Sequence, residues 1–241
     1  MAILEARKVC KEYGNGAVQV HALRGVDVRV EAGEFLAIMG TSGCGKSTLL
    51  HVLGGIDRPT SGQVLLDGED LGGLKDTPRS LIRRRRLGFV FQKINLLPTL
   101  SALENVALPL RIDGVGRSAA HARAKAVLEQ VGIAHRSTHF PHEISGGEQQ
   151  RVAVARAMLI RPAVILSDEP PGSLASTNAQ HILELLRDCA NHGQTIVMVT
   201  HDADLARQAD RVVVMQDGKV VEDHGFSESK SLYLPPQEVR P

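Results

Sequence analysis

The sequence predicts an α/β fold whose core is a largely parallel sheet. Short apolar runs of strand length alternate with segments of helical periodicity, which is typical of parallel sheets flanked by helices. Apolar runs around short Gly-containing turns add antiparallel hairpins. An Ala-rich stretch in the middle of the chain favours helices. We therefore expect a parallel core, an antiparallel β subdomain and an α-helical subdomain.

The elements of the core follow from these patterns in chain order. Phe35 to Met39 is an apolar run of strand length, and Lys46 to Leu53 has the pattern of the helix after it. The further predicted elements are a hairpin around 64–68, buried strands at 163–166 and 195–200, and a hairpin at 212–221 that turns at Asp217-Gly218. Strands on both sides of a helical middle indicate one continuous α/β core.

The middle of the chain is predicted to be helical. One helix is expected to begin at Ser118, as its N-cap, and to end at Gly132, and a second follows Ser145. These helices define a helical subdomain at about 97–159. Residues 1–226 are expected to form the domain, and 227–241 a tail without clear periodicity.

Composition and charge exclude several classes of protein. The 241 residues are 43% hydrophobic and 23% charged, with a formal net charge of +1, which is typical of a globular protein that binds no nucleic acid. No apolar run reaches the ~18 residues of a membrane span, and no apolar leader is evident. The three scattered cysteines suit a reduced compartment. We therefore expect a cytoplasmic protein.

The strongest motif lies between the first predicted strand and helix. Residues 40–47 match G-x-x-x-x-G-K-[ST], whose glycines let successive backbone N–H groups surround phosphate at a helix N-terminus. Lys46 would reach the β- and γ-phosphates, and the Ser47 hydroxyl would bind Mg²⁺. The predicted cofactor-binding residues of this loop are Gly40, Thr41, Ser42, Gly43, Cys44, Gly45, Lys46, Ser47 and Thr48. A plain Gly-rich turn is the alternative, and Cys44 fills a variable position of the loop.

Two adjacent acids end the apolar strand at 163–166. Asp168 would hold Mg²⁺, directly or through water, and Glu169 would polarise the water that attacks the γ-phosphate. A solvated turn is the alternative, but the phosphate loop upstream favours the catalytic interpretation. Together the two motifs predict a hydrolase of nucleoside triphosphates.

A third motif selects among nucleotide-driven proteins. No Asn-Lys-x-Asp motif for guanine is present, whereas the segment from Ser145 to Glu148 reads Ser-Gly-Gly-Glu. Ser145 and Glu148 also form a capping box at a helix start. The segment resembles the signature motif of ABC ATPases, and both interpretations can hold together. The resemblance implies a P-loop NTPase (RecA-like) core and assigns Ser145, Gly146, Gly147 and Glu148 to the ATP bound by a second subunit.

The resemblance extends from about Tyr13 to about Val221. Tyr13 matches the aromatic residue that stacks on adenine, Gln92 the glutamine that contacts Mg²⁺ and faces a membrane partner, and His201 the histidine that contacts the γ-phosphate. The residues around the motifs resemble those of a bacterial subgroup that serves lipoprotein release, macrolide export and cell division. It implies ATP and Mg²⁺ as ligands, a homodimer, and a permease that holds the protein at the inner face of the membrane.

One position departs from the family. Ala175 stands where the family has an aspartate that communicates across the dimer, which puts the coupling of the two sites in doubt. A soluble ABC ATPase acting on DNA or ribosomes, and a regulatory module without turnover, remain as alternatives. The four arginines at 83–86 are interpreted as a solvated or inter-subunit helix face rather than a nucleic-acid site.

Overall fold

The computed structural model describes residues 2–14, 19–168 and 177–225, which form two sheets and the helices around them. The strands of the first sheet are β1 (Ala2–Tyr13), β2 (Val20–Glu31), β4 (Ser61–Leu66) and β5 (Glu69–Asp70). They are antiparallel in the order β2-β1-β4-β5, with Ala2 opposite Glu31 and Tyr13 opposite Val20. Tyr13 therefore ends the first strand beside the start of the second.

The second sheet is the predicted core. Its strands are β3 (Phe35–Gly40), β6 (Leu87–Val90), β7 (Val164–Asp168), β8 (Thr195–Thr200), β9 (Arg211–Gln216) and β10 (Lys219–Gly225). The order is β10-β9-β3-β8-β7-β6, and all pairs are parallel except β10 with β9. Every residue of β7 and β8 is buried, as expected for strands covered on both faces. The predicted strands and the hairpin at Asp217-Gly218 are confirmed.

Helices cover the parallel sheet and continue into the middle of the chain. They are α1 (Lys46–Leu53), α2 (Asp76–Arg86), α3 (Ala102–Ile112), α4 (Arg117–Gln130), α5 (Gly146–Met158), α6 (Thr177–Asn191) and α7 (Ala203–Ala206), with short 3-10 turns at Ala134–Arg136 and Pro141–Glu143. Within the described ranges, no helix combines the length and apolar character needed to cross a membrane.

Alternation along β3 divides the core into two layers. Leu36 and Ile38 pack with α1 and the antiparallel sheet, whereas Phe35, Ala37 and Met39 pack with α6 and α7. A third cluster of buried side chains joins α3, α4 and α5. The period of two in the strand thus places a helix layer on each face of the sheet.

The ends of the middle helices refine the sequence prediction. Ser118 as N-cap is wrong: α4 begins at Arg117, and its N-cap is Gly116, which offers no side-chain cap. Gly132 follows the C-cap Val131 with φ 71°, the left-handed conformation expected just beyond a helix end. The capping box at Ser145 is confirmed. The boundary at residue 226 stays a prediction, because 226–241 lie outside the described residues.

The arginine run on α2 is held by contacts within the chain. Arg83 donates to the carbonyl of Gly55 at 2.8 Å. Arg84 and Arg85 both pair with Asp113, at 2.8 Å and 2.9 Å, and Arg86 pairs with Asp67. These contacts tie α2 to the end of α3 and to the antiparallel sheet, which gives the run a structural role.

Candidate active site

The loop between β3 and α1 can be built only with glycine at its two ends. Gly40 has φ 154°, and a Cβ there would lie 2.3 Å from the carbonyl oxygen of Met215. Gly45 has φ 106°, and its Cβ would lie 2.5 Å from the carbonyl oxygen of Ala22. Both positions therefore exclude side chains for steric reasons. The two ends of the loop therefore pack closely against β9 and β2.

Lys46 is the first residue of α1, and its side chain reaches back to the start of the loop. Its side chain is almost fully buried, and its Nζ donates to the carbonyl oxygens of Gly40 at 2.8 Å and Thr41 at 3.0 Å. No side chain caps the N-terminus of α1, where Gly45 is the N-cap. An ammonium group and uncapped helix N–H groups thus meet in one place, which is the arrangement that binds phosphate.

A hydroxyl and a carboxylate lie together beside the loop. The Ser47 Oγ donates to Asp168 Oδ1 at 2.9 Å, because α1 starts next to the end of β7. Asp168 is only 9% exposed. The described residues hold no group of three or more His, Cys, Asp or Glu that could bind a metal alone. One hydroxyl and one carboxylate, completed by phosphate oxygens and water, fit Mg²⁺, which rarely uses an all-protein cage.

A cavity of about 870 Å³ opens over the loop. Its volume is in the range of small-molecule sites. Of the residues singled out in the sequence, it is lined by Tyr13, Ser42, Gly43, Gly45, Lys46, Ser47, Thr48 and Gln92. Gln92 is exposed just after β6. The phosphate loop, the aromatic residue and the glutamine therefore line one cavity.

Two walls of this cavity were missed by sequence reasoning. One is the start of β2, with Val20, His21, Ala22 and Arg24, and the other is the turn at Asp217-Gly218. The Gly218 N–H donates to the Cys44 carbonyl at 3.0 Å, so the turn supports the phosphate loop. The Asp-Gly pair was a signal for a turn, but nothing in the sequence placed that turn beside the loop.

Gly40, Thr41 and Cys44 are absent from the cavity lining. Cys44 is 6% exposed and packs in the core cluster, and its backbone N–H donates to the Thr41 carbonyl at 3.3 Å. His201 directly follows β8, which lies between β3 and β7, and it too is absent from the cavity lining. Glu169 and Ala175 lie outside the described residues.

The Ser-Gly-Gly-Glu segment forms the exposed N-terminus of α5. Ser145 Oγ accepts from the Glu148 N–H at 3.3 Å, and Glu148 Oε2 accepts from the Ser145 N–H at 2.8 Å and the Ser145 hydroxyl at 2.9 Å. Gly146 is exposed and Gly147 is buried. None of the four residues lines the cavity of the phosphate loop. The two motifs therefore do not form one pocket within a single chain.

Glu148 is held by a second element that the sequence did not reveal. Arg136 donates to Glu148 Oε1 at 3.0 Å. The backbone N–H of Ser145 is the main cause that lowers the pKa of Glu148 to about 2. The Ser145 hydroxyl and Arg136 add to it and outweigh the opposing effect of partial burial. The carboxylate is therefore charged at neutral pH and fixed at the helix start.

Because of Glu148, the stability of the protein is expected to depend on pH in the acid range. Because its pKa is lower in the folded chain than the ordinary 4.5, its charge stabilises the fold above that value, and the stabilisation is lost as the pH falls towards 2. We expect Glu148→Gln to lower the free energy of unfolding by a constant amount at neutral pH, with the difference shrinking below about pH 4.5. Urea unfolding at several pH values measures this, with Glu129→Gln on α4 as the control. A difference that does not change with pH would contradict it.

The site combines a strand, a glycine loop, a helix and a carboxylate at the end of a second strand. This combination defines a P-loop nucleotide-binding protein. Residues 23–172 match the family model described as ABC transporter. The lipoprotein-releasing system ATP-binding protein LolD of Shewanella oneidensis is 48% identical over 217 residues, covering 90% of this chain and 94% of LolD. The chain therefore belongs to the ABC transporter family, as an ATP-binding subunit that hydrolyses ATP.

Two further comparisons describe its relatives. The pyoverdine export ATP-binding/permease protein PvdT of Pseudomonas aeruginosa is 43% identical over 227 residues, which are 94% of this chain and 34% of PvdT. Among solved structures, a dimeric post-hydrolysis state of the ATP-binding cassette MJ0796 with ADP and Pi has a TM-score of 0.85 and 38% identity. The match covers 92% of this chain and 98% of the MJ0796 chain.

Proposed function

We propose that two copies of this chain enclose two ATP molecules and drive a separate membrane permease in export or lipoprotein release. The observation that carries the proposal is the separation of two phosphate-binding motifs in one chain. The phosphate loop opens into the cavity, whereas Ser145 and Gly146 are exposed elsewhere. A second copy that faces the first would bring its helix N-terminus to the γ-phosphate. The dimeric relative with ADP and Pi supports this arrangement.

The roles of the residues follow from the chemistry of each group. Lys46 and the loop N–H groups would bind the β- and γ-phosphates of ATP, the substrate. Ser47, Asp168 and Gln92 would hold Mg²⁺, which neutralises phosphate charge when bound. Glu169 would orient the attacking water and His201 would contact the γ-phosphate, since both follow strands that end at the edge of the sheet where the loop lies. Tyr13 would stack on adenine.

An apolar groove beside Gln92 supports the contact with a permease. A cavity of about 300 Å³ is lined by Phe89, Phe91, Leu108 and Ile112, among others. The rings of Phe89 and Phe91 stack with centroids 5.6 Å apart, and Ile112 is 58% exposed. Exposed apolar residues that line a groove are typical of docking sites. A segment of the permease would fill this groove and hold the protein at the inner face of the membrane.

We expect Ile112→Asp to reduce copurification of the permease from membranes severalfold, because a charge would have to be desolvated in the groove. Binding of ATP by the isolated chain should not change, since Ile112 does not line the phosphate cavity. Val221→Asp is the matched control, because Val221 is 51% exposed on the distant β10 hairpin. Copurification that is unaffected by Ile112→Asp would argue against this groove.

Relatives support export over the alternatives. The names of LolD and PvdT refer to lipoprotein release and to pyoverdine export, respectively, and PvdT carries its permease in the same chain. The comparison covers 34% of PvdT but 94% of LolD, whose name describes an ATP-binding protein without a permease part, and this supports a separate permease. If no membrane protein copurifies and purified membranes leave the ATPase rate unchanged, a soluble or regulatory ABC ATPase would be the better description.

A further inference from the structure

The ring of Tyr13 is held by two charged side chains that the proposed reaction does not use. Its hydroxyl donates to Asp57 Oδ2 at 2.8 Å. The Lys11 Nζ lies over the ring, 4.8 Å from its centroid, and donates to Asp57 Oδ1 at 2.8 Å. The three side chains therefore form a closed triangle: a hydrogen bond, an ion pair and a cation–π contact.

The triangle is attached to the helix that follows the phosphate loop. The N–H groups of Ile56 and Asp57 donate to the His51 carbonyl at 2.9 Å and 3.2 Å. Lys11 Nζ also donates to the Arg58 carbonyl at 2.8 Å. Helix α1 has eight residues and so spans about 12 Å. The phosphate loop leads into its first turn, and the His51 carbonyl of its last turn accepts from the Asp57 N–H, so the helix sets the distance between the loop and the Tyr13 ring.

The contacts of the triangle shift the pKa values of Asp57 and Tyr13 in opposite directions. Burial raises the pKa of Asp57, but hydrogen bonds from Lys11, Tyr13 and the Arg58 N–H outweigh it and hold the pKa below its ordinary value. Burial and the hydrogen bond to Asp57 raise the pKa of Tyr13 above its ordinary 10 and outweigh the opposing effect of a hydrogen bond with the Thr48 side chain. The hydroxyl is therefore protonated at neutral pH and can donate to Asp57. The Lys11 side chain is only 12% exposed. Its ammonium lies over one face of the ring, and Tyr13 as a whole is still 41% exposed and lines the cavity.

We propose that Asp57 and Lys11 are positioning residues for the nucleotide base. They hold the Tyr13 ring with one face towards Lys11 and leave the other face for a purine. The inference rests on the proposed stacking of Tyr13 on adenine. It adds that the orientation of the ring, and with it the selection of ATP by its base, depends on two residues that do not touch the nucleotide. Because neither contacts phosphate, they should affect KM for ATP rather than kcat.

The test compares ATP with inorganic tripolyphosphate, a competitor that has the phosphates but no base. Asp57→Ala should raise KM for ATP about tenfold, within the range for loss of an aromatic–base stack. It should change kcat less than about twofold, and the inhibition constant of tripolyphosphate should stay constant. Lys11→Met, which keeps most of the apolar stem, should act in the same direction. Arg7→Met is the matched control, because Arg7 also lies on β1 and pairs with a carboxylate, Glu5, at 2.7 Å.

A double-mutant cycle separates positioning from a structural role. If Asp57 acts only through the ring, Asp57→Ala should have no further effect on ATP affinity in a Tyr13→Ala background.

Equal weakening of ATP and tripolyphosphate binding by Asp57→Ala would show that Asp57 supports the phosphate loop instead, and would overturn the inference. If Tyr13→Ala alone weakens ATP and neither Asp57→Ala nor Lys11→Met does, the inference falls and the stacking role stands. If Tyr13→Ala leaves ATP affinity unchanged, both fall. If the Ala variant does not fold, Asp57→Asn replaces it: the charge that pairs with Lys11 is lost while an acceptor for the hydroxyl stays, so KM for ATP should rise by less than in Asp57→Ala, and an unchanged KM would contradict the inference.

Discussion

Replacing Asp168 by Asn is expected to lower kcat for ATP hydrolysis by about 10²–10³-fold, the scale for loss of one electrostatic partner of a transition state. The amide has the shape of the carboxylate and can still accept the hydrogen bond that the Ser47 hydroxyl donates at 2.9 Å. The fold should therefore be retained, whereas the negative charge needed for Mg²⁺ is lost. Steady-state rates measured over a range of Mg²⁺ concentrations test this.

Dependence on Mg²⁺ distinguishes a metal ligand from a residue that is only structural. ATP binding in the presence of EDTA should be equal in the parent and in Asp168→Asn, and the Mg²⁺ concentration for half-maximal rate should rise only in the variant. Glu169→Gln should lower kcat without changing that concentration, because its proposed partner is water. Asp223→Asn, which removes an exposed carboxylate paired with Arg211, is the control. A parental Mg²⁺ dependence in Asp168→Asn would exclude the proposed metal role.

The parts of the site that depend on local chain geometry could be predicted from the sequence. The phosphate loop needs glycine where a Cβ would collide with another strand, as at Gly40 and Gly45. The capping box from Ser145 to Glu148 spans four residues, and its hydrogen bonds are made within them. Such requirements involve residues that are close together in the sequence, so a short sequence pattern is sufficient to identify them.

The contacts missed by the sequence join residues that are far apart in the chain. Lys11 meets Asp57 46 positions later, and Asp217-Gly218 supports a loop more than 170 positions earlier. Many partners are sterically possible for each charged side chain, so composition cannot select one. The wrong N-cap at Ser118 has a different cause: α4 begins at Arg117, and its N-cap is Gly116, which has no side chain to cap the helix. The propensity of serine for that position is a weak preference that packing of the helix overrides.

Gly146→Leu is expected to abolish ATP-driven dimerisation while leaving the folded monomer and its ATP binding intact. A Cβ at Gly146 would meet nothing within 4 Å, and the residue begins α5 with an ordinary helical backbone. Leu also has a higher helix propensity than Gly. The added side chain would project from the exposed N-terminus of α5 into the space that the second ATP needs. Sedimentation with ATP should show a monomer, and the ATPase rate should fall by about 10²-fold or more.

A mixture of Gly146→Leu with Lys46→Ala tests whether each active site is shared by two chains. Each variant alone spoils both sites of its homodimer. In a mixed dimer, the intact loop of the Leu variant faces the intact Ser145 and Gly146 of the Ala variant, and the other site is doubly defective. Only the mixed dimers have a complete site, one of two, so we expect the mixture to be more active than either variant alone and to reach at most about half of the parental rate if sites act independently. Gly116→Leu is the matched control, because a Cβ there also meets nothing within 4 Å at another helix start. A mixture no more active than its components, or a dilute Gly146→Leu monomer with the parental rate, would rule out a site composed of two chains.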